Sequence, residues 1–295
     1  MTTAERQVEV IGSGVGFAEG PVLTQDGRVI CTSIDQGSLY VIGPEGPEVL
    51  AVTGGGPNGA TEGPGAVLYV AQNGGRRPAR KWPFVSGGVQ AVGQGGLINW
   101  VTQDPVWPND LCFGPDGLLY VTDPTRPVAR ADGRIWRCDV TSGEAELLAS
   151  VAYYPNGIGF GPDDVLYVAS SSQSAIVRMS ADASGLGKPE IFVRMGYGMP
   201  DGFAFDSSGN MTVAAVGAGG AGEVQTYDQS GRLIDVFRPS TSATITNIAL
   251  SSDGVLILTD AEAGTVLAVR GWPESGLPLH PFRDRPAPAA KYIVV

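Results

Sequence analysis

The apolar residues of this chain come in short runs separated by turn formers. Leu111-Cys112-Phe113 and Leu118-Leu119-Tyr120-Val121 flank Gly114-Pro115-Asp116-Gly117. Pro presets φ, Asp bonds its own backbone and Gly tolerates φ > 0, so this segment predicts a β-hairpin. The pattern recurs. Asn156 to Val168 repeats it almost residue for residue. Glu19 to Ile30, Asn58 to Val70, Asp201 to Asn210 and Thr246 to Leu258 are looser copies. Each copy opens on a polar anchor: Glu19, Asn58, Asn109, Asn156, Asp201 and Thr246. Successive anchors are 39, 51, 47, 45 and 45 residues apart.

A period of that size, with several strands per unit, predicts an all-β, six-bladed β-propeller with four-stranded antiparallel blades around a central channel. A sandwich of hairpins has no reason to repeat one register six times. No break in the repeat marks a boundary, so residues 1–295 are expected to form one domain. Within each copy a first strand runs from anchor to turn and a second runs back. The anchors therefore belong to one rim, and Asp35, Asn73, Asp123, Ser171 and Asp260 are expected beside them. Asp26, Asp116, Asp163 and Asp253 belong to the opposite rim as turn formers. Gln7 to Ile11 or Tyr292 to Val295 is expected to complete the sixth blade. Pro273 to Pro288 reads as a tail wrapped on the surface.

With 19 Lys and Arg against 30 Asp and Glu, the net charge is −11. Such acidity argues against a nucleic-acid or anionic-membrane partner and is compatible with binding a cation. The N-terminus shows no secretory leader and the chain no run long enough to span a bilayer, so a cytoplasmic protein is expected. Cys31, Cys112 and Cys138 lack metal spacing and read as reduced core cysteines. Two long connections, around Asn73 to Trp82 and Pro124 to Asp132, are expected at the anchor rim as a lid or substrate wall. The first carries a basic cluster, Arg76, Arg77, Arg80 and Lys81. Further extra length lies around Gly95 to Trp100.

The anchors converge on one channel mouth. They include two carboxylates, Glu19 and Asp201, and three amides. Oxygen donors without sulfur or imidazole select a hard cation such as Ca²⁺ or Mg²⁺. His280 is the only histidine and lies in the C-terminal tail, away from the anchors, which excludes a His₃ or His₂Glu zinc centre and a Ser-His-Asp or Cys-His triad there. Glu is a poor turn residue, so Glu19, Asn156 and Asp201 in one register point to a metal site.

These residues carry a resemblance. Glu19-Gly20-Pro21, Pro108-Asn109-Asp110, Pro155-Asn156-Gly157 and Pro200-Asp201-Gly202 resemble motifs of the gluconolactonase / regucalcin (senescence marker protein) and luciferin-regenerating-enzyme-like family, from about Phe17 to Arg270. The resemblance implies a six-bladed propeller that holds one divalent cation, Ca²⁺ first with Mg²⁺, Mn²⁺ or Zn²⁺ as alternatives, and hydrolyses lactones. It assigns Glu19, Asn156 and Asp201 as metal ligands and Asn109 as a further site residue. Three ligands would leave room for water and substrate, and Asp201 is the expected base, with Glu19 mainly a ligand. Asn58, Asn73 and the loop through Asp123 resemble the bacterial branch and are expected to contact substrate. Trp107 stands where the animal branch has a substrate-binding Arg. With Trp82, Trp100, Tyr153, Tyr154, Tyr197 and Met199 it suggests an apolar pocket for an aromatic or aliphatic lactone or ester. The expected partner is that small molecule, for a monomer or weak homo-oligomer. Competing readings are aryl-ester or phosphotriester hydrolysis, a strictosidine-synthase-type condensation, and a non-catalytic propeller with a structural cation.

Overall fold

The computed structural model describes residues 5–75, 85–218 and 221–291. The basic cluster at 76–81, Trp82 and the segment 292–295 lie outside them. Six four-stranded antiparallel sheets form the blades of a propeller. We label strands A to D from the channel outward. The A strands are Ala18–Leu23, Pro57–Gly63, Leu111–Phe113, Pro155–Phe160, Met199–Phe205 and Ile245–Leu250. Each touches the A strand of the next blade, and the sixth touches the first, which closes the ring.

The sixth blade is completed by the N-terminal strand. Gln7–Ser13 pairs antiparallel with Thr265–Arg270, as its D strand. Chain ends from both sides of the sequence thus share one sheet, and no blade edge is left between the first and last repeats. Asn58 lies in its A strand with Gln72 and Asn73 at the end of the B strand alongside. Asp260 pairs with Ile245 next to Thr246. The expected sharing of one rim by anchors and B-strand ends therefore holds. On the opposite rim Asp116 accepts the Leu118 N–H and the Tyr120 hydroxyl, and Asp163 serves Val165 and Tyr167 alike. Both acids are turn formers, as expected.

Apolar side chains alternate inward along the B and C strands and meet between adjacent blades. Tyr120, Ile135, Ile158, Phe160 and Leu166 form one such layer between the third and fourth blades. At about 1.5–3 kcal/mol for each large side chain removed from water, these layers supply the main drive to fold. Cys31 and Cys138 are buried in them and Cys112 is half-buried; all three are unpaired. The tail crosses the turn rim. Leu277 N–H donates to Phe205 O, Ser252 N–H to Pro288 O and Ala290 N–H to Asp253 Oδ1. Arg283 donates to Phe160 O and Gly161 O. The tail therefore ties the fourth, fifth and sixth blades together and roofs a channel cavity lined by Ile158, Phe203, Ile248 and Phe282.

Candidate active site

Five of the six A strands carry an irregularity just after the anchor. Pairing with the B strand shifts between Glu19 and Val22, Pro57 and Ala60, Pro155 and Ile158, Pro200 and Phe203, and Ile245 and Asn247. In the third blade the paired A strand starts only at Leu111, after Asn109 and Asp110. Such bulges re-aim a side chain relative to the pleat. Here they leave backbone groups around the anchors to be held by other means. Hydroxyls on B strands or just after them reach into the next blade. Thr32 Oγ1 donates to Asn58 O, Thr122 Oγ1 to Asn156 O at 2.7 Å, and Ser171 Oγ to Pro200 O at 2.7 Å. Thr246 Oγ1 donates to Ala18 O at 3.3 Å, across the seam of the ring.

Glu19, Asn156 and Asp201 are brought together. Asn156 Nδ2 donates to Ser171 Oγ at 3.2 Å and also bonds the Asp201 carboxylate. With Nδ2 turned to these partners, the carbonyl Oδ1 remains as an acceptor. Burial raises the Glu19 carboxyl well above its ordinary range, and the charges of Asp201 and then Asp110 raise it further; the Gly20 N–H and the Thr246 hydroxyl oppose this. Burial and the charge of Asp110 push Asp201 up to about 8, against its bond from Asn156 and the positive charge of Arg126. Two carboxylates in each other's field, Glu19 buried and Asp201 half-buried, ask for protons or for a cation. The all-oxygen set of Glu19, Asp201 and Asn156 Oδ1 suits a hard divalent ion. The residues present therefore fit the cation that the sequence implies.

Asn109 belongs to the same cluster, since its side chain bonds the Tyr154 hydroxyl, and Tyr154 feels the charges of Arg126, Asp201 and Glu19. Asn58 and Asn73 are buried at the rim. Asn73 Oδ1 accepts the Gly75 N–H at 3.2 Å, while its Nδ2 has no partner among the described residues.

Asp123 departs from expectation. It is fully buried. Its carboxylate accepts the N–H groups of Val106 and Trp107 at 3.1 and 2.7 Å and the Trp136 indole N–H at 2.9 Å, and it pairs with Arg134. It fixes the loop that presents half-buried Trp107 and the following Asn109, and offers nothing to a substrate. Trp100 departs too: it lies on the outermost strand of the second blade, Ile98–Thr102, and is 38% exposed on the outside. Tyr153 packs in the core between the third and fourth blades. Tyr197 and Met199 are largely exposed.

Three site residues escape the sequence pattern. Asp110 and Asn247 follow their anchors, where the other four repeats have Gly20, Gly59, Gly157 and Gly202. The glycines make room for them. A Cβ on Gly59 would fall 2.1 Å from Asp110 Oδ1, and one on Gly202 2.0 Å from Asn247 Oδ1. Burial raises Asp110 to about 6 despite hydrogen bonds from Leu111, Asn247 and Ile158. Two polar residues in an otherwise glycine column were the available signal. The third is Arg126, from the loop between the B and C strands of the third blade.

With this geometry in view, the comparisons with known proteins fall into place. A model of the SMP-30/gluconolactonase/LRE-like region matches residues 17–261. The chain belongs to the SMP-30/gluconolactonase/LRE-like family. No curated protein matches it significantly. Among solved structures, a gluconolactonase from Xanthomonas campestris is similar at a TM-score of 0.74 and 19% identity, over 90% of each chain. A luciferin-regenerating enzyme matches at 0.74 and 16%, over 93% of this chain and 98% of that one. A calcium-binding protein, regucalcin, from Agrobacterium tumefaciens matches at 0.72 and 18%, over 99% and 98%. At such identities these likenesses speak for the fold, and the family match covers all six anchors. Glu19, Asn156 and Asp201 lie on the first, fourth and fifth blades.

Proposed function

We propose that this protein is a divalent-cation-dependent hydrolase that opens a small-molecule lactone or related cyclic ester. The observation that carries this is the pairing of buried Glu19 with half-buried Asp201, two carboxylates in one another's field, with Asn156 at one channel mouth. Family membership and the resemblance to a gluconolactonase and to a calcium-binding protein support it. Glu19, Asn156 and Asp201 would hold the ion, with Ca²⁺ the first candidate. When bound, the ion supplies Lewis-acid polarisation of the substrate carbonyl.

The chain's own residues do the rest. Asp201, held by the Asn156 amide, takes the proton of the attacking water at a carboxylate oxygen. Glu19 stays fixed by Thr246 and the Gly20 N–H and acts as a ligand. Asn109, bonded to the Tyr154 hydroxyl, orients the substrate's ester group. Asn58, Asn73 and Trp107 form the substrate wall, and Asp123 positions Trp107 from behind.

The test is hydrolysis of gluconolactone, an aliphatic γ-lactone and dihydrocoumarin, before and after chelation, with Ca²⁺, Mg²⁺, Mn²⁺ and Zn²⁺ added back. Activity that vanishes with chelator and returns with one ion is expected. Activity indifferent to exhaustive chelation overturns the cation reading; no turnover of any lactone by the ion-loaded protein overturns the substrate class.

A further inference from the structure

Arg126 is a cation placed against an acidic site yet unused by it. It sits in the connection between Leu119–Pro124 and Gly133–Cys138 at the anchor rim. Thr125 N–H donates to Asp132 O, which closes the base of that loop. The single 3-10 turn Val128–Arg130 packs against Ser171–Gln173 of the fourth blade, the segment whose first residue holds Asn156 and Pro200. Arg126 is thereby carried over the mouth between the third and fourth blades, where its charge acts on Asp201 and Tyr154.

Its Nε is buried, and among the described residues it has no hydrogen-bond partner and the guanidinium joins no ion pair. A buried donor without a partner is costly, the more so when it is charged. In a chain of net charge −11, a spare guanidinium is simple to satisfy with a neighbouring carboxylate, and the third blade does so three times, once with Arg130 and Asp132 in the same loop. Arg134 pairs with Asp123, and Arg137 with Glu146. Arg126 is left open instead, within reach of the Asp201 charge but paired with no carboxylate among the described residues. A guanidinium there opposes cation binding, so the ion gains nothing from it. A planar, fork-shaped donor is suited to a carboxylate that arrives with the ligand.

We propose that Arg126 forms a carboxylate subsite, so that the preferred substrate is a lactone carrying a carboxylate away from its ring ester. This rests on the lactone-hydrolase reading for the reaction but not for the binding. The ring ester faces the Glu19/Asn156/Asp201 end, and the carboxylate lies under the 124–132 loop. Arg126 is thus a specificity residue, acting on which lactone binds.

The experiment uses the full chain with Ca²⁺ and one matched pair, γ-butyrolactone and its ring carboxylate, with R126M, R126Q and R126K. The wild type is expected to favour the carboxylated lactone in kcat/KM, and R126M and R126Q to lower that preference about tenfold or more through KM, as loss of a charge-assisted bond does. R126K should restore part of it. No preference in the wild type, or an equal loss on both lactones carried in kcat, overturns the inference. Calorimetric binding of the ring-opened dicarboxylate requires no turnover. Weaker binding by R126M, with unchanged melting, upholds the subsite even where no lactone is hydrolysed; equal binding refutes it and leaves the hydrolase reading standing.

Discussion

Asn247 Nδ2 donates to Asp110 Oδ2 at 3.4 Å, although the two residues are 137 positions apart. The bond links the sixth blade to the third across the channel, one step below the anchors. It is made possible by Gly59 and Gly202, whose missing side chains leave the space that Asp110 and Asn247 occupy.

Gly59→Ala and Gly202→Ala should therefore each cost about 1–3 kcal/mol or more, the range for overpacking. Backbone atoms crowd both positions, with Asp110 Cα at 2.7 Å and Asn247 Cα at 2.8 Å from the added carbon, so relief is limited. Gly196→Ala, which meets nothing within 4 Å, is the control. Thermal melting checks this: equal melting points for all three variants would mean that the glycine column is not required.

The cation site sets a pH dependence. Asp201 moves from an ordinary 3.8 to about 8 in the folded, ion-free protein, so the folded state holds a proton that the unfolded state has released. Stability of the chelated protein should fall as pH rises from about 4 to about 8. Calcium should reverse this loss, and its binding near neutral pH should release protons. Urea melts at pH 5 and pH 8, with chelator and with Ca²⁺, read the effect. A chelated protein more stable at pH 8 than at pH 5 would contradict it.

Asp201→Asn separates ligand from base. An amide can still offer an oxygen to the ion, but it cannot accept the water's proton. Turnover should drop by about 10²–10⁴ while Ca²⁺ still raises the melting temperature. Glu19→Gln should instead weaken Ca²⁺ binding first. Full turnover by Asp201→Asn with the ion bound would show that another group is the base.

Asp123→Ala tests the positioning of Trp107. It leaves Arg134 and the Trp136 N–H without their buried partner, at a cost of about 3–5 kcal/mol. A change in melting near zero would show that Asp123 is not the support of this loop. Where the variant folds, KM should rise more than kcat falls, because the substrate wall loosens while Asp201 is untouched.

Much of this protein is legible in its sequence because a propeller is local. Each of the first five blades is built from one continuous stretch of chain, so the hairpin signal at Gly114 to Gly117 and its five copies carry blade number, strand direction and rim. Glu19 stood out for the same reason, being a residue that no turn explains. Pair distances across the ring were not legible, since no local rule relates position 110 to position 247 or position 126 to position 201. Asp123 shows the limit from the other side. Rim placement was readable, but whether its carboxylate faced solvent or the backbone of residues 106 and 107 depended on how the preceding loop folded back.

The repeat in the chain by itself determined six blades, the anchor rim and the oxygen-donor character of the site, because strand pairing and turn chemistry act between near neighbours. Tertiary structure alone decided the N-terminal closure of the sixth blade, the Asp110–Asn247 bond, the engagement of Asp123 and the open guanidinium of Arg126. Each depends on ring closure, which brings residues far apart in sequence within reach and excludes the water that would otherwise satisfy them.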